Sequence, residues 1–203
     1  MRKIFVTGIG TDVGKTVVSS VLTEALEADY WKPVQTGNYY GTDTDQVKKL
    51  VSNPKTVFHP EAYSFEPQLS PHAAAHTIGT AIDVDTIQLP NTQNNIIIEG
   101  AGGILVPLNN NFFMIDLIKR FDAETILVVQ HYLGSINHTL LSIEYLKSKG
   151  VKFLGIIFNG STQKLSEEVI VNYSDVPILG HINKETYINR ESIQKYLVEF
   201  KNI

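Results

Sequence analysis

Between Gly8 and Thr16 the chain reads Gly-Ile-Gly-Thr-Asp-Val-Gly-Lys-Thr, directly after a β-branched apolar run and directly before a stretch with helical periodicity. Glycines in that context let backbone N–H groups converge on phosphate oxygens, and the start of the helix adds its positive dipole end. Lys15 then neutralises the β- and γ-phosphates and the Thr16 hydroxyl ligates magnesium. Gly10, Thr11, Asp12, Val13, Gly14 and Val17 complete the expected nucleotide-binding segment, with Thr11 and Asp12 also counted among the catalytic candidates. Five residues separate Gly8 from Gly14 where the usual P-loop has four, so Ile9 stands where that spacing requires glycine. Strand, loop, Gly-Lys-Thr and helix together still favour a nucleoside triphosphate site over a plain glycine-rich turn.

A P-loop does not name its acceptor, because kinases, ligases, motors and switches all use one. Glu99 ends a predicted strand and is followed by Gly-Ala-Gly-Gly, which puts a carboxylate at the strand end where ligands gather in open α/β sheets. It is expected to serve magnesium directly or at one remove. Lys32 ends another apolar run in the segment Lys-Pro-Val-Gln-Thr-Gly. A second cation beside Lys15 is tolerated only with an anion between them, which points to a substrate that becomes anionic. Asp43 and Asp45 open the next predicted helix. Taken singly, Lys32 reads as a snorkelling surface lysine and Asp45 as helix N-terminal chemistry. His72 and His76 are four apart in a short helix, but no acid lies between them and no third ligand is evident, which speaks against zinc.

These groups need a scaffold. Predicted strands near Lys3–Thr7, Tyr30–Lys32, Asn95–Glu99, Thr125–Val129, Phe153–Phe158 and Ile178–Ile182 carry apolar residues on consecutive positions, the mark of strands covered on both faces. Between them, helical spacing covers Lys15–Ala28 and Ile136–Lys149, with shorter helices over Asp45–Val51, Pro71–Ile78, Met114–Phe121, Leu165–Val171 and Glu191–Phe200. The expected fold is a single α/β domain over 1–203, a P-loop type, mostly parallel sheet with helices on both faces. Ser52–Leu69, with Pro54, Pro60 and Pro67, is the longest piece without clear periodicity. A chain of 203 residues buries roughly 70 % of its unfolded surface, and the absence of cysteine excludes disulfides, thiolate metal sites and a cysteine nucleophile. With 17 basic against 21 acidic residues and no basic run, nucleic acid is not an expected partner. No apolar run approaches the ~20 residues of a membrane span, and the glycine-broken start does not resemble a leader, so a cytoplasmic home is expected.

In order along the chain, VTGIGTDVGKT, YWKPVQTG, the TDTD acids, SPHAAAH, IIEGAGGILVPL, GSINHTLLS, GIIFN and PILGHI resemble the dethiobiotin synthetases over nearly the whole length. Cobyrinic acid synthases and partitioning ATPases share the loop and the Glu-Gly-Ala-Gly-Gly strand end but not the other segments. The resemblance implies ATP- and Mg²⁺-dependent carboxylation of 7,8-diaminopelargonic acid with CO₂, giving dethiobiotin, ADP and phosphate. It also implies that Thr16, Asp45 and Glu99 surround magnesium and that Lys32 and Thr36 face a carbamate. Ser70, Pro71 and His72 would line the substrate pocket, and Asn159 with Pro177–Ile182, notably Leu179, the base pocket. The diamine carboxylate would meet Gly134, Ser135, Ile136 and Asn137 of a second subunit, in a homodimer with Ser135 as the helix cap. Asp12 stands where that family commonly has glutamate, and Asn183 where proline often follows. A nucleotide-dependent switch and a small-molecule kinase are the rival readings.

Overall fold

The computed structural model describes residues 1–203. From the N-terminus, β1 (Lys3–Gly8), α1 (Lys15–Ala25), β2 (Asp29–Trp31), β3 (Val34–Thr36) and α2 (Asp43–Leu50) come first. Then follow β4 (Phe58–His59), β5 (Tyr63–Phe65), α3 (Pro71–Thr77), a single 3₁₀ turn at Val84–Thr86, β6 (Ile96–Gly103) and α4 (Met114–Phe121). The chain ends with β7 (Glu124–Val129), α5 (Ser135–Ser148), β8 (Lys152–Asn159), α6 (Lys164–Ser174), β9 (Ile178–Ile182), α7 (Arg190–Gln194) and α8 (Leu197–Phe200). Seven strands form one parallel sheet in the order β4-β2-β6-β1-β7-β8-β9, and β3 pairs with β5 in a small parallel sheet of its own.

The consecutive apolar residues of the strands feed two faces alternately. Ile4, Val6, Ile97, Ile126, Val128 and Ile157 join α1, α2, α7 and α8 in one core. Phe5, Ile96 and Ile98 turn the other way, against α3 and α4, while Leu127, Val129, Ile156 and Phe158 meet α5 and α6. Every central strand is thus sandwiched, as its composition requires.

Several elements depart from expectation, among them β3, which falls in the Lys-Pro-Val-Gln-Thr-Gly segment outside the predicted strands. β6 runs on to Gly103, because after an irregularity the register with β1 resumes at Gly8↔Gly103. The stretch Ser52–Leu69 holds two strands, β4 and β5, each too short to leave a periodic trace and each flanked by proline. The last predicted helix is split into α7 and α8, and at the break Tyr196 Oη donates to Glu185 Oε1 at 2.7 Å and accepts from Asn183 N–H at 3.1 Å.

β2, which carries the second lysine into the site, is anchored at its start by Asp29. This carboxylate is 1 % exposed and gathers partners from two stretches of chain: Val57 N–H at 3.0 Å and the His59 ring at 3.0 Å from one, Thr92 Oγ1 at 2.7 Å and Asn94 Nδ2 at 3.2 Å from the other. Burial by itself raises its pKa, but these hydrogen bonds more than offset that and hold it below the usual carboxylate range. A depressed native pKa gives stability that is present above the unfolded pKa and is lost as pH falls through the native one. Asp29→Asn is therefore expected to cost about 2 kcal/mol in urea unfolding at pH 7, with the gap to wild type closing below about pH 4. A gap independent of pH would assign the loss to packing instead of charge.

Candidate active site

The P-loop leaves the C-terminal end of β1 and turns into α1 at Gly14, whose φ of +90° only glycine adopts without strain. A Cβ there would lie 2.0 Å from Asn159 Nδ2, which donates to Val13 O at 3.0 Å and so ties β8 to the loop. Lys15 is nearly enclosed and Nζ donates to Gly10 O at 2.8 Å. Burial first, then the nearby Lys32 charge, lower its pKa to about 8 against the opposing pull of Glu99, Asp43 and Asp12.

β1, β6 and β2 are neighbours in the sheet, and their ends deliver the remaining groups. Glu99, with no exposed surface, accepts from Thr16 Oγ1 at 2.9 Å and from Lys32 Nζ at 3.1 Å through Oε1, and from Tyr30 Oη at 2.9 Å through Oε2. Lys32 Nζ also lies 2.5 Å from Asp43 Oδ2. Burial favours a neutral Lys32, yet Glu99 and Asp43 outweigh it and hold the pKa above its ordinary value, so Lys32 is a buried ammonium. Burial and the Glu99 charge push the Tyr30 hydroxyl well up, keeping it a donor.

These groups line a cavity of about 790 Å³ that also takes in Thr11, Asp12, Gly14, Val17, Thr36, Ser70 and Pro71, as expected, and Gln35, Gln68 and Val106, which the sequence did not single out. Gly10 and Val13, although in the loop, are not among the residues that line the cavity, and Pro177 and Leu179 stand outside it at the β8–β9 edge. His72 faces a separate hollow of about 350 Å³ beside His76, with its Nδ1 3.1 Å from Ser70 Oγ. Gly134–Asn137 do not reach the cavity of their own chain. Their helix start differs from expectation too: Gly134, at φ +101°, is the cap, and Ser135 is the first helical residue, buried and making no side-chain cap.

Of the two acids that open α2, Asp43 and not Asp45 lines the cavity. Asp45 is exposed and closes a capping box, its Oδ2 accepting from Thr42 N–H at 3.1 Å while Thr42 Oγ1 accepts from Asp45 N–H at 3.0 Å. Asp43, two residues earlier and on another face of the helix, is the acid turned to Lys32. Gln35 Oε1 accepts its N–H at 3.0 Å, and Thr44 Oγ1 donates to Glu61 Oε1 at 2.5 Å, which pins the first turn of α2. The signal was legible: Thr-x-x-Asp at 42–45 is a capping box, which commits Asp45 and leaves Asp43 free.

The donor set fits magnesium. Asp43, Glu99 and Thr16 offer only oxygen, and the two carboxylates already hold a cation, the Lys32 ammonium. Magnesium is commonly held by one or two carboxylates together with phosphate oxygens of the substrate. Asp43→Asn is expected to raise the magnesium concentration needed for half-maximal turnover about tenfold, while Asp45→Asn lowers helix stability by about 1 kcal/mol and leaves metal demand alone. The reverse pattern would return Asp45 to the metal. Because Lys15 must be charged to hold phosphate, nucleotide affinity should fall above pH 8 by up to about tenfold per pH unit, with proton uptake on binding in calorimetry. Affinity flat from pH 7 to 9.5 would contradict this.

Known proteins extend these observations. A family model described as an AAA domain matches residues 2–192. The ATP-dependent dethiobiotin synthetase BioD of Cytophaga hutchinsonii is 48 % identical over 98 % of this chain and 97 % of its own, and that of Christiangramia forsetii 47 % identical over 98 % and 96 %. The Chlamydia pneumoniae protein of the same name is 38 % identical across the full length of this chain and 91 % of its own. Among solved structures, a ParA family ATPase from Chlorobium tepidum aligns over 97 % of this chain and 98 % of its own at TM-score 0.57 and 13 % identity. The septum site-determining protein MinD of Pyrococcus horikoshii, solved with Mg-ADP, aligns over 99 % and 89 % at TM-score 0.56 and 18 % identity. The structural likenesses establish the P-loop ATPase fold alone. Sequence identity at this level, along almost the entire chain, places the protein in the family of ATP-dependent dethiobiotin synthetases.

Proposed function

We propose that this chain closes the ureido ring of dethiobiotin, consuming 7,8-diaminopelargonic acid, CO₂ and ATP. One amine takes up CO₂ as a carbamate and loses a proton. A carbamate oxygen attacks the γ-phosphorus and ADP leaves; the second amine then attacks the carbonyl of the mixed anhydride, loses a proton and expels phosphate. The observation that carries this reading is the buried Lys32 ammonium across the cavity floor from the P-loop lysine.

No enzyme nucleophile is needed, so the chain has to hold reactants in line and offset charge. Lys15 and the loop amides neutralise the phosphates, and Lys32 faces the anionic carbamate oxygen. Thr36, Ser70 and Pro71 form the wall along which the diamine lies. Magnesium, held by Thr16, Glu99 and Asp43, would supply Lewis-acid charge on the phosphate oxygens. Within one chain the 134–137 segment does not reach the cavity; in the proposed twofold dimer the second subunit would bring Gly134–Asn137 to the diamine carboxylate. Ile136 and Asn137 N–H make no hydrogen bond within the chain.

ADP release that requires both the diamine and CO₂ is the test; a switch would ignore the diamine and a kinase would ignore CO₂. Lys32→Ala is expected to lower kcat by about 10²–10³ with nucleotide affinity nearly unchanged, whereas Lys15→Ala weakens nucleotide binding itself. Equal loss of ATP binding in both variants would misplace Lys32. Asn137→Asp sets a like charge beside the carboxylate and should raise diamine KM about tenfold while ATP binding holds. Sedimentation should show a dimer, and a fully active monomer would overturn the shared site.

A further inference from the structure

The two oxygens of Glu99 are used differently. Oε1 meets Thr16 and Lys32, on the side of the phosphate loop and the cavity. Oε2 has one protein donor, the Tyr30 hydroxyl at 2.9 Å, and both residues are without exposed surface. The pairing follows from the sheet. Tyr30 stands opposite Ile97 in the β2–β6 register, and Glu99, two residues beyond Ile97, points to the same face. The Tyr30 ring is itself braced by Phe58 of β4, with centroids 6.2 Å apart, so the hydroxyl is presented from a fixed base.

We propose that Tyr30 is a positioning residue of the active site, locking the Glu99 carboxylate so that Oε1 alone is presented to Thr16, Lys32 and the metal-bound nucleotide. A carboxylate held at one oxygen only can pivot about its Cγ–Cδ bond; the Tyr30 hydrogen bond removes that freedom and satisfies an oxygen that no water can reach. The proposal rests on the reading of this cavity as a magnesium–nucleotide site, and its test is separable from ring closure because it needs no diamine.

Tyr30→Phe keeps the ring in the core and removes one oxygen. With a non-hydrolysable ATP analogue in calorimetry, its affinity without magnesium should match wild type, while the enhancement that magnesium brings should fall about tenfold. Turnover should show the same split, kcat falling with diamine KM unchanged. Since Tyr30 acts through Glu99, the Phe substitution should add nothing in a Glu99→Gln background. Wild-type magnesium enhancement in Tyr30→Phe, or an undiminished effect in Glu99→Gln, would overturn the proposal. So would a protein that melts far below wild type and binds the analogue equally poorly with and without metal, for the phenol would then belong to the fold.

Discussion

The site is organised by one costly arrangement, a lysine ammonium buried against the carboxylates of Glu99 and Asp43. Removing an ion from water costs several kcal/mol even after relaxation, and only close partners and filled hydrogen-bonding positions offset it. That requirement reaches far into the fold. β2 and β6 must be neighbours so that Lys32 and Glu99 meet at their ends, and α2 must begin where Gln35 and Glu61 hold it so that Asp43 closes the cluster. Asp29, at the other end of β2, secures the strand from below by joining it to the segments before β4 and β6.

The same balance explains how two lysines coexist. Burial first, and then the repelling charge of Lys32, lowers the pKa of Lys15, whereas Lys32, with a carboxylate on either side, stays firmly charged. The two cations are therefore unequal before any nucleotide arrives. Lys15 is poised for an incoming anion, and Lys32 is already neutralised by groups that can also serve a metal. The fold is shared with ParA and MinD ATPases at identities below 20 %, so the fold by itself does not specify the chemistry of this site.

Much of this could be read from the residues in order. The P-loop announces itself through glycines, lysine and threonine at set spacing between a strand and a helix, and Met114–Phe121 and Ile178–Ile182 fall where periodicity puts them. Features carried by few residues were harder. β4 spans two residues and owes its place to pairing with Tyr30 and Trp31, far along the chain. The resemblance points to Asp45, whereas the fold puts Asp45 in a capping box with Thr42 and turns Asp43 toward Lys32. Ser135 looked like the better cap by type, but Gly134 adopts the left-handed backbone that the turn demands and takes the position.

By itself the sequence determined the chemistry available: a phosphate loop, a second lysine, strand-end acids and a parallel sheet to hold them, since local spacing and composition encode these directly. Only the tertiary structure decided which acid faces Lys32, that Tyr30 completes Glu99, and that the 134–137 segment stays away from its own cavity. Those facts depend on which strands lie side by side and which face each side chain takes. Such relations join residues far apart in the chain, 69 positions between Tyr30 and Glu99 and 83 between Thr16 and Glu99, and no local pattern records them.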